Sequence, residues 1–146
     1  MRCACQYAII RFMPFIETGE FANVGIVLLC PEKRFFGFKL LKRHGRLTRF
    51  FKNMEARIYT DSRTLFHDEL TRILALLKSG PFDDRRRKTD IPAAQALFGE
   101  LVRPREVIMR FDAPRAVLSD NPDSKLDELY RFYVERDFVT KLYQTN

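Results

Sequence analysis

The stretch Tyr7–Leu41, YAIIRFMPFIETGEFANVGIVLLCPEKRFFGFKLL, decides the fold. Tyr7, Ile9, Ile10 and Phe12 make one short run of aromatic and branched residues, closed by Pro14 and Gly19. Val24, Ile26, Val27, Leu28 and Leu29 make a second, closed by Pro31. Runs this short, bounded by turn formers, predict strands rather than helices. The second run has almost no polar alternation, so both of its faces need cover and it belongs inside a sheet. Pro31 stands where a tight turn wants a fixed φ, and the chain reverses there into Phe35, Phe36 and Phe38. The stretch therefore predicts a meander of three antiparallel strands.

The loop from Pro14 to Phe21 joins the first two strands and is longer than a two-residue hairpin turn. Loops of that kind carry binding groups. Arg11 at the end of one strand, Asn23 at the start of the next, and Glu17 and Glu20 between them form a candidate polar site at its mouth. A structural role is open for the same residues: Asn in a bulge, Gly25 at a close contact, Arg and Glu as a surface pair. If Met13 and Ala22 flank the loop, the register sets Cys5 opposite Cys30. Cys3, Cys5, Cys30 and a histidine would make four zinc ligands, but Cys-x-Cys is not the usual knuckle spacing. The thiols read as reduced and buried or idle, and no metal or cofactor is expected.

Downstream, Leu47, Phe50, Phe51 and Met54 recur at helical spacing and predict a helix over residues 46–54. From Lys33 to Lys52 there are eight basic residues and no acid, enough to account for the whole net charge of +7. Lys39, Lys42, Arg43, Arg46, Arg49 and Lys52 form a candidate basic face for an acidic partner, either protein or the phosphates of nucleic acid. Long stems covering apolar surface are the structural alternative. Asp61 as N-cap, then Leu65, Phe66, Leu70, Ile73, Leu74 and Leu77 as an apolar stripe, predict a helix over 62–78 that Ser79-Gly80-Pro81 stops. His67 lies on it without an HExxH pattern, and His44 precedes the helix before it with no obvious partner.

Residues 83–90, DDRRRKTD, read as an internal polar loop or mobile linker. A short helix over 93–102 follows, broken by Gly99. Strands then follow near 107–111 and 116–118. Asn121-Pro122-Asp123 opens a closing helix that runs to about Asp137. A chain of 146 residues with 46% apolar content makes one globular domain, 1–146, burying ~70% of its unfolded surface. No run approaches the ~20 apolar residues that span a bilayer. Nor does the N-terminus look like a signal peptide. The expected location is cytoplasmic, without membrane contact. The fold class is α+β: an antiparallel sheet of three to five strands with helices packed mainly on one face.

Tyr7, Arg11, Pro14, Gly19, Glu20, Asn23, Val24, Gly25, Pro31 and Glu32 form a pattern that resembles the opening of the bacterial domain of unknown function 3037 family. Pro104, Arg105, Pro114, Arg115 and Pro122 look similar to its second half. The resemblance implies a small stand-alone bacterial protein found beside kinases similar to the HipA type, and hence a non-enzymatic accessory protein that binds a protein partner. The alternative is a nucleic-acid-binding protein using the Arg43 to Lys52 face. A second alternative, a metal-dependent nuclease, needs Glu17, Glu20 and a third carboxylate on one ion.

Overall fold

In the computed structural model, which describes residues 1–105 and 107–135, strand β1 (Cys3–Phe12) is the axis of a five-stranded antiparallel sheet. Strand β2 (Ala22–Cys30) pairs with one of its edges, and β3 (Phe35–Leu40) lies beyond β2. Along the other edge of β1, β4 (Met109–Phe111) and β5 (Arg115–Ser119) lie end to end. The three-strand meander is thus present as predicted, and the two short later strands close onto its first member.

Four helices cover the sheet: α1 (Gly45–Phe50), α2 (Ala56–Ser79), α3 (Ile91–Leu101) and α4 (Pro122–Tyr130), the last running into a π-helical turn, Arg131–Glu135. Alternation along β1 divides the core in two. Ala8, Ile10 and Phe12 pack with α1, α2 and α3 on one face, while Cys3, Cys5, Tyr7 and Ile9 pack with α4 on the other. Both faces are covered, which is why β2 is buried at seven of its nine positions and reads as a continuous apolar run. Three of the four helices lie on one face, so the α+β layout stands.

One irregularity positions the polar residues of the mouth. From Gln6↔Leu29 to Ile10↔Gly25 the strands pair in one register, and then Arg11 pairs with Asn23, leaving Val24 as an extra residue on β2. Without that bulge Val24 would stand opposite Arg11; with it, Asn23 does. Gly25 is required beside the bulge, because a Cβ there would lie 2.6 Å from the Lys39 carbonyl oxygen. At its far end the register runs on to set Cys5 opposite Cys30, as expected. Burial, and then a hydrogen bond with Cys30, pushes the Cys5 thiol up to about 12. It stays a protonated, inert thiol at neutral pH.

Several local expectations are revised. Helix α1 ends at Phe50, and Phe51 is already extended at φ −95°, ψ 99°. Phe51 turns into the core at 2% exposure while Phe50 is left 47% exposed. Helix α2 begins at Ala56, so Asp61 lies inside it, and the true N-cap, Glu55, makes no side-chain cap bond. Leu65, placed on its apolar stripe by spacing, is 73% exposed. Asp90 caps α3 by accepting from the Ala93 N–H at 3.2 Å, and Gly99 does not interrupt that helix. The expected polar loop at 83–90 is tied down by Arg34, whose guanidinium donates to Thr89 Oγ1 at 2.8 Å and to the Asp83 and Arg86 carbonyls at 3.0 and 2.9 Å. The expected helix end near Asp137 and the tail KLYQTN lie outside the described residues.

Candidate functional site

Odd-numbered residues of β1 face α4, so Arg11 emerges on that face next to Asn23. The corner between β4 and β5 brings Asp112 to it: the Asp112 N–H donates to the Ile9 carbonyl at 2.8 Å. The Asp112 carboxylate then sits 3.2 Å from Arg11 Nη2 and 3.1 Å from Arg115 Nη2. Arg115 Nη1 donates to the Tyr133 hydroxyl at 3.0 Å, which in turn shares a hydrogen bond of 3.0 Å with the Tyr7 hydroxyl. Asn23 Nδ2 donates to the Tyr133 carbonyl at 3.2 Å. Arg46 reaches across from α1, donating to the Val134 carbonyl at 2.5 Å and to the Asn23 carbonyl at 3.3 Å. This network clasps the start of the chain to its last described turn.

The clasp has little of a reaction centre about it. Its titratable hydroxyl, Tyr7, is pushed up from the ordinary phenol value, first by burial and then by its bond to Tyr133. That shift opposes any role as a base near neutral pH. Two arginines share one carboxylate, so each carries a charge-assisted contact that fixes geometry. Arg11 also lies 4.2 Å from the centroid of Phe21.

Of the four mouth residues expected from sequence, Arg11 and Asn23 come together; Glu17 and Glu20 stay apart from them. Both glutamates are exposed on the loop, and neither carboxylate has a partner among the described residues. The loop is ordered instead by Thr18, whose Oγ1 donates to the Phe15 carbonyl and accepts from the Glu20 N–H. Gly19 completes the turn at φ 72°. Glu17→Ala and Glu20→Ala are accordingly expected to change stability by less than about 0.5 kcal/mol. Thermal melting of each variant checks this, and a clear drop would mean that a glutamate holds the hairpin.

The predicted basic face divides in two. Lys39 is bound to Asp127 Oδ1 at 2.9 Å and lies over Tyr130, and Arg46 is committed to backbone carbonyls. Lys42, Arg43, Arg49 and Lys52 are exposed and have no ion pair among the described residues. Beside α1 opens a cleft of about 500 Å³ lined by Phe21, Phe50, Phe132 and Tyr133 together with Asn23 and Arg46, the one basic-face residue among its described lining. No three of His, Cys, Asp and Glu converge as metal ligands among the described residues. Nor is any described helix long and apolar enough to cross a membrane.

Sequence reasoning missed Asp112 as the partner of Arg11, and with it Arg115 and Tyr133 as members of the same network. The available signal was the Asp-Ala-Pro-Arg corner, a proline turn carrying opposite charges three residues apart. Fold and site together define an α+β protein whose two-faced antiparallel sheet is locked by an arginine–aspartate–tyrosine clasp. The family described as "Protein of unknown function (DUF3037)" matches residues 7–134, and the chain belongs to that family. No curated protein and no solved structure matches it.

Proposed function

We propose that this chain is a non-enzymatic accessory protein that binds a protein partner through the aromatic, basic mouth beside α1. One observation carries the reading: a cleft beside α1 is walled by exposed aromatic rings, in a stretch of chain whose outward cations have no ion pair among the described residues. Arg11, Asn23 and Arg46 hold the clasp. Phe21 and Phe50 stand 40% and 47% exposed, and Arg43, Arg49 and Lys52, near Phe50 in the chain, are exposed with no ion pair among the described residues. Aromatic rings with arginine at a concave surface are the composition of binding hot spots. An excess of positive charge selects an acidic partner and speeds its approach. The partner class implied by the resemblance is a kinase similar to the HipA type, in the cytoplasm of a bacterium.

The interleaving of Phe50 with Arg49 and Lys52 also favours a second reading, in which the mouth stacks and neutralises single-stranded nucleic acid. Salt separates the two. Nucleic acid should dissociate with a steep linear dependence of log affinity on log salt, whereas a protein partner held by buried aromatics should respond weakly. The triple charge reversal Arg43→Glu, Arg49→Glu, Lys52→Glu changes exposed residues only, so its melting temperature should stay near wild type. Its affinity for the purified partner should fall at least ~10-fold, mostly through slower association. Unchanged affinity in surface-binding measurements would remove the mouth from the interface.

A further inference from the structure

A second concave surface, sharing no described lining residue with the mouth, lies beside α2 and β4. It is a groove of about 550 Å³. Its apolar lip is Ile16, Leu65 and Val107, which are 60%, 73% and 47% exposed. Single exposed aliphatic residues are ordinary, but a cluster of them around one concavity marks a binding surface. Phe66 and Phe111 form the floor, their rings packed on each other with centroids 5.1 Å apart. They are committed to that contact and offer no stacking platform.

The rim is basic. Arg103, Arg105 and Arg110 line it, and Glu69 is the lone acid among the described lining residues. Glu69 is already taken by Arg72, at 2.7 Å. Arg103 holds a looser ion pair with Glu100 at 3.5 Å. Arg110 donates its Nε to the Val107 carbonyl at 2.8 Å, while its buried Nη2 has no partner among the described residues. Self-association through this face would oppose two copies of the same positive rim, on a chain of net charge +7.

We propose that this groove docks a short apolar segment of a partner protein whose anchors are flanked by carboxylates. Apolar side chains of that segment cover Leu65, Val107 and Ile16, and its acids meet the guanidinium groups of Arg103 and Arg105. The proposal rests on the reading of the chain as a protein-binding accessory and adds a second contact surface to it.

The test is selection of a random peptide library, about twelve residues long, on the immobilised full chain. Peptides with apolar anchors and a net negative charge should be enriched. Leu65 is exposed, so Leu65→Asp keeps the wild-type melting temperature and should weaken the selected peptides at least ~10-fold. Arg105→Glu should do the same for acidic peptides and improve binding of their lysine-substituted forms. Enrichment of basic or uncharged peptides, no enrichment, or binding that survives Leu65→Asp overturns the groove. None of these outcomes touches the mouth: the accessory reading falls separately, if the native chain holds no protein partner or if the triple reversal at Arg43, Arg49 and Lys52 leaves partner affinity unchanged.

Discussion

Phe12→Ala is expected to destabilise the fold by about 3–5 kcal/mol, the range for truncating a fully buried aromatic ring. Phe12 is 0% exposed at the end of β1. Its ring meets Phe51 edge-on at 5.8 Å and Tyr59 at 5.1 Å, so one side chain joins the sheet to the residue after α1 and to the first turn of α2. Each edge-to-face pair adds ~0.5–1.5 kcal/mol beyond the area it buries. Tyr59 cannot move to fill the void, because its hydroxyl donates to the Leu41 carbonyl at 2.5 Å. Urea unfolding should record a lower midpoint at unchanged slope. Phe50→Ala, a neighbour of Phe51 in sequence but exposed, should change the midpoint little. Equal losses in the two variants would mean that the aromatic residues of this region are wrongly assigned between core and mouth.

Asp112→Ala should destabilise by ~1–3 kcal/mol, since it removes the shared acceptor of two partly covered guanidinium groups. Arg11 and Arg115 would then face each other across the vacated position, a repulsion that their distances of 3.2 and 3.1 Å to the same oxygen make unavoidable. Arg115→Ala in the same background should recover part of the loss, and a double-mutant cycle measures how much. A wild-type midpoint for Asp112→Ala would show that the clasp is ornamental to the fold.

The elements of the sheet were legible because strand identity is written locally. The apolar run of β2 and the closures at Pro14, Gly19 and Pro31 carry it without reference to the rest of the chain. Side-chain destinations were less legible. Spacing alone assigns Leu65 and Leu70 to one apolar stripe of the helix, and only the placement of the sheet decides that Leu70 goes inside and Leu65 does not. Phe50 and Phe51 look equivalent by periodicity until the backbone leaves the helix between them. Asp61 resembles a cap because capping residues are recognised by type, whereas α2 starts at a turn with no capping side chain at all.

The clasp illustrates a different limit. Arg11 and Asn23 were readable as neighbours from one hairpin, with the bulge at Val24 settling their register. Their partners Asp112 and Tyr133, which Arg115 joins, come from the far end of the sequence, and no local pattern pairs an arginine with a carboxylate that distant. Glu17 and Glu20 were nearer in sequence and therefore the more obvious partners. Chain proximity misled because the Thr18 turn holds the loop apart from Arg11. Among the positions that carry the family resemblance, Tyr7, Arg11, Asn23 and Arg115 all meet in this one cluster.

The most direct measurement is purification of the tagged chain from its native host, in parallel with the triple reversal Arg43→Glu, Arg49→Glu, Lys52→Glu, each with and without nuclease treatment and followed by mass spectrometry. A protein partner recovered in stoichiometric amount by the wild-type chain, resistant to nuclease and depleted by the reversal, is the expected result. Recovery of nucleic acid, with protein partners lost on digestion, or a partner held equally by both forms, would contradict it.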